Sequence, residues 1–73
     1  MTIDQTLDAY VSARIRVEEM TKLGEVSLEL VETSRRAILL LESLIRKVQD
    51  QRIWTIQLYE EIEKRLEVRR KNL

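Results

Sequence analysis

The 73-residue chain contains no cysteine, no histidine and no proline, and it has a single glycine. The lack of cysteine excludes a disulfide and a thiolate metal site, and the lack of histidine removes the commonest metal ligand and the usual general base. The serines therefore have no imidazole to activate them, and a chain this short can hardly enclose a catalytic pocket. We predict a protein that is not an enzyme, has no catalytic residue and needs neither a cofactor nor a metal ion.

Long apolar runs are missing as well. The longest, Ala37 to Leu41, falls far short of the ~20 residues that span a bilayer. Met1 to Leu23 lacks the basic and apolar regions of a secretory signal, so no membrane partner is expected and a cytoplasmic location is the default. Chains of this size usually depend on disulfides, a metal or association with another chain. Association is the support that remains.

Good helix formers dominate the residues that are present, and residues that favour turns are scarce, which predicts an all-α fold. Thr2 and Gln5 have the spacing of a capping box and predict a first helix of about residues 3–22. At 100° per residue, Arg14 falls in the middle of the apolar face of this helix, and Ile15 points away from it. The members of that face are Ile3, Leu7, Tyr10, Val11 and Val17.

The single glycine marks the expected break between helices. Gly24 is placed to end helix 1, and Ser27 is placed to cap a second helix of about residues 26–72. Such a helix would be ~70 Å long, against ~30 Å for helix 1, so helix 1 could not cover its whole apolar stripe. A stripe of that length does not stay in water. We therefore predict a helical hairpin that dimerises, or forms a higher oligomer, as a helical bundle or antiparallel coiled coil.

An alternative divides the second helix in two. The polar segment 49–52 could be a turn, in which case the chain would form a three-helix bundle that closes a core alone. The apolar phase passes through this segment without a reset, so the sequence leaves both arrangements open.

From Leu30 through Ser34 to Ile62, the predicted self-association seam follows alternating three- and four-residue spacings, which are typical of coiled coils and bundles. It serves either as the core of a self-contained bundle or as a surface that docks another helix, from a second copy or from another helical protein. Two polar residues, Gln51 and Thr55, would set register and oligomeric state. The seam consists of Leu30, Ala37, Leu41, Leu44, Val48, Gln51, Thr55, Leu58, Ile62 and Leu66.

Basic residues suggest a second class of partner. Arginines can contact nucleic-acid phosphates, but the pairs Glu61–Arg65 and Glu67–Lys71 have the spacing of a solvated helix face. Residues 13–17 alternate apolar and basic side chains and could form a short strand, giving the layout of ribbon-helix-helix DNA-binding dimers. The candidate nucleic-acid contacts are Arg14, Arg16, Arg35, Arg36, Arg69 and Arg70.

Charge is balanced overall but unevenly distributed. Residues 1–32 contain seven acids and three bases, whereas residues 33–73 contain ten bases and six acids. The two halves therefore attract each other, within a chain or between chains. The sequence thus favours a non-enzymatic protein–protein interaction module, such as an adaptor, a chaperone-like protein or an assembly or regulatory factor. The alternative is a small dimeric nucleic-acid-binding regulator.

Overall fold

The computed structural model describes residues 2–24, 26–50 and 55–72, without the side chains of residues 50 and 55. The chain forms three α-helices: α1 is Ile3–Lys22, α2 is Leu28–Asp50 and α3 is Thr55–Lys71. Within the described ranges there is no β-strand. The predicted all-α class is confirmed.

Both ends of α1 follow the sequence prediction. The Thr2 hydroxyl accepts a hydrogen bond from the Gln5 amide at 3.1 Å, and the Gln5 side chain accepts one from the Thr2 amide at 3.1 Å, which completes the capping box. At the other end Gly24 has φ +71°, a left-handed conformation that glycine adopts without steric cost. The Leu23 amide donates to the Glu19 carbonyl at 3.1 Å. The chain therefore leaves α1 through a glycine-dependent turn.

The single second helix of residues 26–72 is corrected to two helices. α2 begins after Ser27, whose hydroxyl accepts a hydrogen bond from the Leu30 amide at 3.3 Å. α2 ends at Asp50 and α3 begins at Thr55. The longest dimension of the molecule is 39 Å, well below the ~70 Å of an unbroken helix. The three-helix alternative therefore describes the fold, although residues 51–54, including the second half of the proposed turn, lie outside the described residues.

α1 lies between the other two helices. It packs most extensively on α2 and also on α3, whereas α2 and α3 contact each other least. Arg65 contacts Asp4 and Asp8, and Arg70, nearer the end of α3, contacts Glu18. α1 and α3 therefore run in the same direction, and α2 runs opposite to α1. All three helices contribute to one apolar cluster, formed by Leu7, Tyr10, Val11, Ile15, Leu44, Val48, Leu58, Ile62 and Leu66.

The central position of α1 explains where the sequence prediction of its face was wrong. Ile15, predicted to point off the apolar face, is buried, as are Ala13 and Met20. A helix with neighbours on two sides buries a wider arc than one amphipathic stripe. Arg14 is half-buried, and its Nη1 donates to the Tyr10 hydroxyl at 3.3 Å.

Residues 13–17 are helical, so the predicted alternative of a strand there is wrong. They lie in the interior of α1, more than one turn from either end. The ribbon-helix-helix layout therefore does not apply to this structure. Within this helix Ala13 and Ile15 are buried, whereas Arg14 is half-buried and Arg16 is exposed.

Replacing Leu44 by alanine tests the shared core. Leu44 is fully buried, so Leu44→Ala should lower the free energy of unfolding by about 2–5 kcal/mol through lost apolar burial and a residual cavity. Leu39→Ala is the matched control on the same helix, because the Leu39 side chain is 55% exposed and its truncation should cost about 0.5 kcal/mol or less. Urea unfolding followed by circular dichroism measures both. Equal losses would contradict the assigned core.

Candidate interaction surfaces

The predicted seam lies largely inside the chain. Leu44, Val48, Leu58, Ile62 and Leu66 belong to the apolar cluster. Ala37 and Leu41 pack against that cluster while partly exposed, and Leu30 is half-buried. Gln51 lies outside the described residues, and Thr55 is the first residue of α3. The five buried seam residues are therefore occupied in forming the bundle, and a partner of the folded chain meets side chains other than these five.

A different apolar surface runs along the outside of α2. Val31, Ile38 and Ile45 are 62%, 59% and 42% exposed. They are spaced seven residues apart, and since seven residues fall only about 20° short of two full turns, they form one continuous line. The line extends ~21 Å along the helix. We call these three residues the α2 ridge. β-branched side chains at heptad spacing are typical of a coiled-coil surface.

The two flanks of the α2 ridge differ in burial and in charge. Ser34 and Leu41 lie between the ridge and the core, and both are half-buried. Arg35 and Glu42 lie on the opposite, solvent side, and both are exposed. Sequence reasoning missed this surface because it placed residues 30, 37, 41, 44 and 48 on the seam. The signal was nevertheless present in the heptad spacing of residues 31, 38 and 45.

Arg65 of α3 forms ion pairs with two carboxylates of α1. The Arg65 guanidinium donates to Asp8 at 2.7 Å, to Glu61 at 3.0 Å, and also to Asp4. The hydrogen bond to Asp4 is the main cause that raises the pKa of Arg65 above its ordinary value, and those to Glu61 and Asp8 add to it. The Arg65 side chain is only 25% exposed. The sequence predicted the pair with Glu61 but could not show that α1 supplies two more carboxylates.

Glu18 is the centre of a second contact between α1 and α3. Arg70 donates to its carboxylate through Nε at 3.2 Å and through Nη2. This hydrogen bond lowers the pKa of Glu18, and the positive charges of Arg14 and Lys22 act in the same direction. Since the folded pKa lies below the unfolded value of about 4.3, this contact stabilises the fold at neutral pH. The contribution is lost as the pH falls through the folded pKa.

The candidate nucleic-acid contacts do not converge on one free surface. Arg14 and Arg70 meet around Glu18. Arg69 donates to the Ser12 hydroxyl at 2.7 Å, and Arg16 pairs with Glu29 at 3.0 Å. Arg35 and Arg36 are exposed on α2, away from the contacts between α1 and α3. The structure thus uses three of the six predicted arginines, Arg16, Arg69 and Arg70, to join its own helices.

Other kinds of site find little support. Two shallow grooves lie beside the contacts between α1 and α3, one lined by Asp8, Val11 and Val68 and the other by Ile15, Val17 and Arg70. Among the described residues there is no group of acids placed to hold a metal ion. No helix in those parts of the chain is long and apolar enough to cross a membrane.

Comparisons with protein-family models, with curated proteins and with solved structures gave no match.

Replacing Arg65 by methionine tests whether its contacts with the carboxylates of α1 stabilise the packing of α3. Arg65→Met keeps much of the aliphatic volume but leaves three carboxylates facing one another, so it should lower the free energy of unfolding by about 1–2 kcal/mol. Lys64→Met is the matched control, because Lys64 is an exposed cation on the adjacent position of α3 and its loss should change stability by about 0.5 kcal/mol or less. Chemical unfolding at low salt measures both. Indistinguishable effects would show that the carboxylate contacts do not stabilise the bundle.

Proposed function

We propose that this chain is a non-enzymatic protein–protein interaction module that self-associates through the α2 ridge. In that role it serves as an adaptor, a chaperone-like protein or an assembly or regulatory factor, with a cytoplasmic location as the default. A second copy is the first partner, and another helical protein that presents a similar apolar face is a further one. No catalytic step, cofactor or metal ion forms part of this proposal.

The exposure of the α2 ridge is the observation that carries the proposal. Val31, Ile38 and Ile45 are large apolar side chains that no other helix of the described chain covers. A line of such residues on a helix with a heptad repeat is the surface on which a second helix packs. A contact confined to one helix face buries less than ~1,200 Å², which is typical of weak or transient complexes. We therefore expect association that is reversible and depends on concentration.

The nucleic-acid alternative is less well supported. Affinity for phosphates requires cations that can release counterions on binding. Arg16, Arg69 and Arg70 already contact Glu29, Ser12 and Glu18. The whole chain has no net charge, so it creates no long-range attraction for a polyanion. Arg35 and Arg36 alone make a small patch.

Substitution of the central ridge residue tests self-association. Ile38→Asp places a charge in the proposed contact and should keep the chain monomeric at all concentrations, whereas the wild type should shift from monomer to dimer between micromolar and millimolar concentration. Leu39→Asp is the matched control: Leu39 is 55% exposed, close to Ile38, but points about 100° away around the helix. It should dimerise like the wild type. Sedimentation equilibrium measures the mass, and circular dichroism checks the fold.

Two results would contradict the proposal. The first is a wild type that remains monomeric throughout, and the second is equal loss of association in both aspartate variants. Binding of DNA or RNA that falls steeply with salt and is weakened by Arg35→Ala or Arg36→Ala would instead support the nucleic-acid regulator.

A further inference from the structure

We infer that the α2 ridge binds a second copy in an antiparallel orientation, with Arg35 of each chain beside Glu42 of the other. This inference rests on the proposed self-association and specifies its register and its selective contact. It follows from the heptad positions of α2, from the burial of each position and from the placement of two exposed charges.

The heptad repeat places the ridge and its inner flank in adjacent columns. Taking Val31, Ile38 and Ile45 as position a puts Ser34 and Leu41 at position d. The a side chains are exposed and the d side chains are half-buried. Each chain therefore offers a half-open docking face, in which the d residues form a shallow floor and the a residues project from it.

An antiparallel pair fits these two columns together. In antiparallel coiled coils, a residues pack in layers with d residues of the other chain. If Ile38 faces Leu41 of the second copy, the same register places Ile45 opposite Ser34. Ile45, the larger of the two end residues of the ridge, then meets the smaller residue of the floor, and the two-fold axis repeats both layers. The next layer would need Val48, which is buried in its own core, so the contact stops there and stays short.

The flanking charges select this orientation. Arg35 and Glu42 occupy the e positions beside this docking face. In an antiparallel pair, the e positions of the two chains lie next to each other. The register that pairs Ile38 with Leu41 brings Arg35 beside Glu42 of the second copy, twice by symmetry. Within the described parts of the chain, neither side chain makes an ion pair. Both are therefore available to a partner.

A parallel pair has no such complementarity. There, each e position faces a g position of the partner. The g positions of this repeat are Leu30, Ala37 and Leu44, which carry no charge. Arg35 and Glu42 would then gain no ionic partner across the interface. Flanking charges set orientation in coiled coils, so they favour the antiparallel arrangement.

Charge exchange tests the pair of flanking residues. Arg35→Glu and Glu42→Arg each place like charges together at two symmetric positions, so each variant alone should dimerise about fivefold more weakly than the wild type. The double variant Arg35→Glu/Glu42→Arg restores the pair with exchanged signs and should recover wild-type affinity. Mixing the two single variants should give a heterodimer tighter than either homodimer. Sedimentation equilibrium at low salt measures all four.

The matched control separates this contact from general attraction between chains of opposite net charge. Arg36→Glu and Glu32→Arg change the net charge by the same amounts as the two test variants, but at exposed positions of α2 away from the docking face. Each should dimerise like the wild type, and their mixture should show no comparable preference for the heterodimer. Equal behaviour of the two mixtures would overturn the proposed contact.

Cysteine cross-linking tests the orientation independently, since the chain has no native cysteine. In the antiparallel register, position 31 lies opposite position 48 of the second copy, so two Val31→Cys side chains are ~26 Å apart along the helices. They should not form a disulfide, which requires α-carbons within ~7 Å. Ile38→Cys, near the two-fold axis, should be linked by a short bifunctional maleimide.

The outcomes distinguish this inference from the proposed function. Efficient disulfide formation by Val31→Cys, with wild-type dimerisation intact, would overturn the antiparallel register and leave self-association standing. Dimerisation unaffected by either charge variant would overturn the selective contact in the same way. A chain that never dimerises would overturn both.

Discussion

Packing of α1 against both other helices is the interaction on which the rest of this structure depends. α2 and α3 contact each other least, so each is held mainly by α1. Leu7, Tyr10, Val11 and Ile15 supply the apolar part of that surface. Asp4, Asp8 and Glu18 supply an ionic part that faces Arg65 and Arg70 of α3. The acidic first half of the chain and the basic second half therefore attract each other within one molecule.

This arrangement determines which surface is left for a partner. Because α3 packs back on α1, Leu58, Ile62 and Leu66 complete the core of their own chain instead of extending a long exposed stripe. Small domains bury a limited fraction of their apolar surface. In this chain, part of the apolar surface that stays exposed lies along α2. The ridge of Val31, Ile38 and Ile45 is thus a consequence of closing the bundle around α1. The core and the proposed docking surface lie on different sides of α2.

Local signals in the sequence predicted both ends of α1 and the start of α2, whereas contacts between helices were harder to predict. The Thr2–Gln5 capping box, the turn at Gly24 and the Ser27 cap each depend on residues within four positions of one another. The break between α2 and α3 has no glycine or proline, and the apolar phase continues across it, so periodicity could not decide between two helices and three. Burial of Ile15 and the contacts of Arg65 with Asp4 and Asp8 depend on the third helix. The side of α2 left uncovered depends on it as well.

The most direct test is an isotope-filtered nuclear Overhauser experiment on an equal mixture of labelled and unlabelled chains at millimolar concentration. Such a spectrum records only contacts between copies. Our account predicts intermolecular contacts between the methyl groups of Ile38 and Leu41, while Leu44 and Leu66 show contacts only within a chain. A spectrum without intermolecular contacts, or one in which they join Leu44 or Leu66 of different copies, would contradict it.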